Sequence, residues 1–366
     1  MLWRRPDRFE EWLRLPAPPP CEDPRFALRR VSEADFERVY DVVTESFGSL
    51  RTRDAYEWIY GRNVSGKARC WALVERQTDR FVGVDTNFPW PMARGPRPLA
   101  GFLCGDWAIV PAWQRQGISR LTYDAAMADP WRAQQTVIGW PNLKSRGSAR
   151  KGGRAHRHHG PVPRGVLPLR TRACLQTVGW APSLAGSLGD AALAAFWTWR
   201  FGGGAAVRVE PVRRFDSGFD ALTERCMAWP DYWCPHDAAF LNWRYLDNPG
   251  IGQHVALATM DDAQPTGYVV LHLNGARAWL TEFVVPERPP EIRSALMARA
   301  IGVARDAGCG WLEFFAPPRW RHWPWLRSVG FVPMRSERVL YINSPSEPRA
   351  NSLDVWQLVP GDTDIL

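Results

Sequence analysis

Two distant stretches of this chain carry the same pattern. Asp54-Ala55-Tyr56-Glu57-Trp58-Ile59-Tyr60 is followed by Asn63, and Asp237-Ala238-Ala239-Phe240-Leu241-Asn242-Trp243-Arg244-Tyr245 by Asn248, with Trp, Tyr and Asn equally spaced in both. Ala72-Leu73 precede Gly83 by the interval at which Ala256-Leu257 precede Gly267. Ile109-Val110-Pro111 matches Val284-Val285-Pro286, and Val178-Gly179-Trp180 matches Val329-Gly330-Phe331. Four matches in one order point to a duplicated α/β unit. A chain of 366 residues has room for it, since that length suits about two domains.

Each copy reads as a helical front, an antiparallel meander and a βαβ end. In the first, residues 26–31 form a strand, and Ser32 caps a helix that runs to Ser46 with Glu33 and Asp35 at its positive end. Strands follow over residues 69–75 and 81–87, joined by the polar turn Gln77-Thr78-Asp79. Further strands cover residues 103–110 and 136–140, with a helix after Gly117 between them. The second copy starts near Val207, with strands over residues 254–259, 266–272, 278–285 and 311–315 and a helix over 291–307. The expected divisions are an arm over 1–24, two units over 25–205 and 206–346, and a tail over 347–366. Trp3, Phe9, Trp12 and Leu13 suit the arm to docking on a neighbouring surface.

No apolar run approaches the roughly 20 residues that span a bilayer. The start leads into Asp7, Glu10 and Glu11 rather than an apolar core, so it does not read as a signal peptide. The seven cysteines are scattered, with no Cys-x-x-Cys, which fits a reduced cytoplasmic protein and supplies no zinc template. Net charge is +8, yet acids are interspersed almost everywhere, so a solvated surface is favoured over a nucleic-acid footprint. The exception is the basic tract 144–172, which also holds His156, His158 and His159. It reads as a solvated loop, or as a lid for phosphates of a cofactor or of a nucleotide-linked sugar.

Ile109-Val110-Pro111-Ala112-Trp113-Gln114-Arg115-Gln116-Gly117-Ile118-Ser119 is an apolar run, a proline, Gln-x-x-Gly-x-Ser and a helix start. A turn at a helix N-terminus aims backbone amides outward and favours anions, and Gly117 lets a phosphate approach the backbone. This order resembles the acyl-CoA pyrophosphate loop of the GCN5-related N-acetyltransferases (GNAT), with Ser119 in place of the usual last Gly or Ala. The resemblance covers residues 25–346. It implies an α/β chain of two tandem GNAT-like domains, each a mixed, mainly antiparallel sheet flanked by helices. Leu241-Asn242-Trp243-Arg244-Tyr245 and the tail, Leu353-Asp354-Val355-Trp356 with Gly361-Asp362-Thr363-Asp364, resemble tandem GNAT-like proteins of bacterial surface-polysaccharide pathways.

What the resemblance implies is an acyl-CoA-dependent N-acyltransferase, using acetyl-CoA or another acyl-CoA, with a small amine or amino sugar as acceptor. Ile109 and Val110 would bond the pantetheine arm. Gln114 stands at the first position of this cofactor-binding loop, amides from about Arg115 through Gln116, Gly117 and Ile118 to Ser119 would hold the diphosphate, and Asn142 would contact CoA or simply end a turn. The second copy has Glu287-Arg288-Pro289-Pro290 instead of a glycine loop, and its prolines and acid oppose CoA, so one cofactor per chain is expected. Asp106 is the candidate base and Glu282 its near counterpart; the alternative for Asp106 is a carboxylate paired with a neighbouring Arg. The first copy has no Tyr after Tyr123 to serve as the usual acid. Two other readings stay open: a non-catalytic CoA-binding or scaffold protein, and an aminoacyl-tRNA-dependent transferase.

Overall fold

The chain is described by a computed structural model over residues 7–16, 20–48, 51–129, 134–141, 157–159, 161–177, 184–201, 207–226, 231–250, 252–286 and 289–363. Asn142, residues 144–156 and 160 of the basic tract, the Val178-Gly179-Trp180 repeat, Glu287, Arg288 and Asp364 lie outside these residues.

Two seven-stranded sheets form, one per repeat. The first runs Phe26–Arg30, Arg69–Glu75, Arg80–Pro89, Gly101–Ile109, Thr136–Gly139, Leu340–Asn343 and Arg157–His159. The second runs Val209–Pro211, Gln253–Asp261, Gln264–Asn274, Arg277–Val284, Trp311–Phe315, Arg164–Pro168 and Val332–Met334. Central strands are apolar almost throughout, as in Cys70-Trp71-Ala72-Leu73-Val74, because both sheet faces are covered. Pairing is antiparallel except where Gly101–Ile109 meets Thr136–Gly139 and where Arg277–Val284 meets Trp311–Phe315.

The sixth strand of each sheet comes from the other repeat. Leu340–Asn343 pairs with Thr136–Gly139, and Arg164–Pro168 pairs with Trp311–Phe315. A cut between residues 205 and 206 therefore separates strands that hydrogen-bond to one another. Neither exchanged strand is expected from the sequence pattern. A third sheet joins the halves, in the order Trp356–Gln357, Tyr232–Trp233, Met92–Arg94 and Arg97–Leu99.

The Phe36–Phe47 helix buries Phe36, Val39, Tyr40, Val42 and Val43 along one stripe. Ser32 does not cap it: a 3₁₀ turn over Glu33–Asp35 intervenes, and the Ser32 hydroxyl donates to Asp35 instead (2.8 Å). The arm is docked through the Phe9–Leu13 helix, whose Trp12 is buried with its indole N–H on Asp129 (2.9 Å). No helix among the described residues is long and apolar enough to cross a membrane.

The tail runs into the interior between the repeats. Asp362 is 1% exposed and accepts from His236 Nε2 at 3.0 Å and from the Trp90 indole at 3.3 Å. Its carbonyl accepts from the Trp140 indole (2.8 Å), and Arg244 donates to the carbonyls of Gly361 (3.3 Å) and Thr363 (2.5 Å). His236 also meets Glu282 through Nδ1 (2.9 Å). Burial alone would lower its pKa, but the flanking Glu282 and Asp362 carboxylates outweigh this and raise it to about 10. A raised folded-state pKa gives stability that is complete below the unfolded value near 6.5 and lost as pH rises through about 10. Thermal unfolding across pH 6–10.5 should show that decline in the wild type and a flatter profile for His236→Gln. Parallel profiles would show that His236 carries no proton beyond the neutral form.

Candidate functional site

The strand Gly101–Ile109 organises the first repeat's site. It pairs with Thr136–Gly139 only from Gly101 to Cys104, so the two strands have parted company before Asp106. On its other side the register against Arg80–Pro89 slips between Val84/Ala108 and Thr86/Gly105, a bulge that places Asp106 and Trp107 opposite Asp85. Asp106 adopts φ 44°, in the left-handed region.

Asp106 Oδ2 accepts from the Tyr60 hydroxyl (2.8 Å) and forms an ion pair with Arg51. Oδ1 has no hydrogen-bond partner among the described residues. Burial first, and then the Asp106 carboxylate, push the Tyr60 pKa well above its usual value, so the phenol keeps its proton and acts as a fixed donor. The pairing with Arg51 is the alternative that the sequence left open for this carboxylate.

Beyond the strand, Pro111–Trp113 makes one 3₁₀ turn and the helix Ser119–Ala128 begins. Residues 114–117 are exposed, and Ile118 is buried as an anchor. Arg115 and Gly117 have φ 63° and 77°, so the backbone alternates hands as in anion-binding nests. The amides of Arg115, Gln116, Gly117, Ile118 and Ser119 have no partner among the described residues. A Cβ on Gly117 would meet nothing within 4 Å, so the space over the turn is open. The Trp107 indole donates to the Ser119 carbonyl (3.3 Å), tying the bulge to the helix start.

The Ile109–Val110 backbone is engaged within the chain. Gln114 Nε2 donates to the Ile109 carbonyl (2.8 Å), Val110 N donates to Val82 O (3.0 Å), and Val110 O accepts from Trp113 N (3.0 Å). A ligand arm on this edge would meet residues 105–108, or displace the Gln114 amide.

The second repeat builds the same device and closes it. The Arg277–Val284 strand bulges at Thr281, between the Val270/Glu282 and Leu271/Leu280 pairs. Glu282 is 2% exposed and accepts from the Tyr245 hydroxyl, as Asp106 does from Tyr60. Here the tail fills the space: a Cβ on Gly361 would collide with the Tyr245 hydroxyl and Glu282. The cavity left beside Cys234, His236, Glu282 and Asp362 holds only about 40 Å³. Small-molecule sites occupy roughly 300–1,000 Å³, so no thioester fits there. The Pro290–Asp306 helix starts on Pro289 and Pro290, which have no amide hydrogen to offer.

A groove of about 540 Å³ lies over Trp58 and Trp243. Its carboxylates are in use: Asp237 caps Phe240 N (2.8 Å), Asp220 accepts from Ala238 N (2.6 Å), and Asp247 pairs with Arg214 (2.7 Å). Among the described residues no group of three or more His, Cys, Asp or Glu is placed to hold a metal ion.

The sequence did not single out Arg51 or Tyr60. Tyr60 stands in the repeated Trp-x-Tyr, and that repetition was the available signal.

No family model matches the chain, and no curated protein matches its sequence. Solved structures do match its fold. One is a probable N-acyltransferase from Enterococcus faecalis V583, at TM-score 0.58 and 10% identity, covering 87% of this chain and 73% of that one. Another is a GCN5-related N-acetyltransferase from Anabaena variabilis, at 0.59 and 12%, covering 87% and 72%. A third is N-myristoyltransferase from Saccharomyces cerevisiae with bound myristoyl-CoA, at 0.56 and 10%, covering 99% and 94%. The chain therefore has the fold of the GCN5-related N-acetyltransferases, with its bulged-strand unit present twice in one polypeptide.

Proposed function

We propose that this protein is an N-acyltransferase that takes its acyl group from an acyl-CoA bound once per chain, in the first repeat. The observation that carries the reading is the set of five open amides at the Ser119 helix start, on the same strand–loop unit as a carboxylate with one open oxygen. Roughly 13 Å of extended strand separates Asp106 from Val110, room for an arm between a diphosphate and a thioester. The solved N-myristoyltransferase with myristoyl-CoA supports acyl-CoA as donor. The acceptor in this reading is a small amine or an amino sugar.

Acyl-CoA supplies an activated carbonyl and a thiolate leaving group. The chain's part is to bind and to move protons. Amides 115–119 and the helix dipole hold the diphosphate. Arg51 and Tyr60 fix Asp106 through Oδ2, so Oδ1 faces one direction. Oδ1 takes the proton that the acceptor nitrogen loses as its bond to the acyl carbon forms, and the same proton is returned to the departing sulfur. Tyr60 serves as a positioning residue, because burial and Asp106 keep its own proton in place. The second repeat is a structural wall, its equivalent site occupied by Gly361 and Asp362.

Calorimetric titration with CoA should give a stoichiometry near one. Gly117→Val puts a branched side chain at φ 77° into the space over the amides. It should weaken CoA binding by about tenfold or more, the worth of one or two charge-assisted hydrogen bonds, with the fold intact by circular dichroism. A stoichiometry of two, or unchanged affinity in the variant, contradicts the site.

Asp106→Asn should lower kcat by about 10²-fold or more while CoA affinity stays near wild type, measured as thiol release with amine acceptors. Unchanged turnover would make Asp106 an anchor for Arg51 alone.

A further inference from the structure

We propose that His254 and His272 form a binding site for one divalent transition-metal ion of the class that takes imidazole, such as nickel or copper. The two residues are directly opposed on the antiparallel Gln253–Asp261 and Gln264–Asn274 strands. Opposed residues on such a pair have their Cβ atoms about 5 Å apart, so two imidazoles there reach a common point. They do so here: His254 Nε2 and His272 Nδ1 stand 3.0 Å apart. Two imidazole nitrogens on one ion, each at about 2.0–2.1 Å from it, lie roughly 2.9 Å apart at a right angle and about 3.4 Å apart in a tetrahedron. The observed separation therefore matches neighbouring positions of an octahedral or square-planar ion with little movement of either ring.

The surroundings hold the rings in this arrangement. The Tyr245 ring packs edge-on to His254 (5.3 Å, 61°), and Trp279 tilts against His272 (5.6 Å, 40°). Gly252, at φ 100°, brings its backbone against His272, and a Cβ there would stand 2.6 Å from the ring's Cε1. His272 is 3% exposed, while His254 keeps partial exposure and gives an ion with its waters a way in. Neither ring has another hydrogen-bond partner among the described residues, so only the bond between them competes for the two inner lone pairs.

Charge selects the metal. Burial first, then His272 and Arg244, lowers the His254 pKa to about 3; burial and then Arg244 lower that of His272 to about 4. Both rings are thus in the neutral, ligating form at pH 7. No carboxylate bonds either ring among the described residues, and the Arg244 charge acts on both. Such a site disfavours calcium and magnesium, which need oxygen ligands, and leaves ions held by nitrogen lone pairs, with water in the remaining positions. The pair lies in the second repeat, and the inference stands independently of acyl transfer.

The test starts from the full chain carrying His156→Gln/His158→Gln/His159→Gln, so that the histidines of the basic tract take up no metal. Calorimetric titration of this EDTA-stripped parent with Ni²⁺ should give a stoichiometry near one, and Mg²⁺ should give no binding heat. His254→Gln or His272→Gln in the same parent should weaken nickel binding by about tenfold or more, since each removes a ligand. Nickel should also raise the thermal midpoint of the parent and leave those of the two variants unmoved. If His272→Gln, at the buried position, fails to fold, His254→Gln decides. Absence of nickel binding by the parent overturns the proposal and leaves a hydrogen-bonded pair only. Equal nickel binding by His254→Gln overturns it as well.

Discussion

Trp58 and Trp243 hold the two repeats together through a reciprocal contact. Their rings stack at 4.5 Å and 18°, and each indole N–H donates to the other residue's carbonyl, at 2.8 and 3.2 Å. Trp58 lies in the last turn of the Arg53–Tyr60 helix, where carbonyls have no partner within the helix. The indole of the other repeat satisfies one of them in a site only 4–6% exposed. The duplicated motif is thus the contact surface by which one copy recognises the other.

The same motif also reaches the carboxylates at the two bulges. Residues two apart on a helix point about 200° away from each other. Trp58 therefore faces the other repeat while Tyr60 faces its own sheet and Asp106. The second copy repeats this with Trp243 and, through the Tyr245 hydroxyl, Glu282. Fixing the two halves against each other fixes each carboxylate at its bulge. The exchanged strands lock the arrangement, since Leu340–Asn343 borders the Thr136–Gly139 strand that ends beside the first site.

Most of the fold was legible from local pattern. The strands at residues 69–75 and 311–315 and the helix after Gly117 follow from apolar runs bounded by turn chemistry, and the structure has them where the pattern put them. The open loop at Gly117 was legible for the same reason, because its geometry is set by five consecutive residues. The rest depended on partners far along the chain. Arg51 and Tyr60 lie 55 and 46 residues from Asp106, and His236 lies 126 from Asp362. The strand exchange was hidden because Arg164–Pro168 and Leu340–Asn343 are short runs whose sequence does not record which sheet they join. The tail residues Gly361 and Asp362 are legible in the sequence only as part of a resemblance, while their place beside Glu282 and His236 depends on tertiary structure alone.

Backbone strain marks the first repeat's site independently of any resemblance. Five non-glycine residues have positive φ among the described residues. Asp79, Asp262 and Ala263 occupy hairpin turns, where that conformation matches the twist of the flanking strands. Asp106 and Arg115 have no such reason, and a left-handed non-glycine residue costs on the order of 1–3 kcal/mol. Both fall within ten residues, one at the bulge carboxylate and one in the amide turn. The second repeat keeps the bulge and the Tyr–carboxylate pair but has no left-handed residue at Glu282. Among the described residues, strain outside the hairpin turns falls in the half whose turn is open and not in the half whose pocket is filled. That is the distribution expected if it serves ligand binding rather than folding.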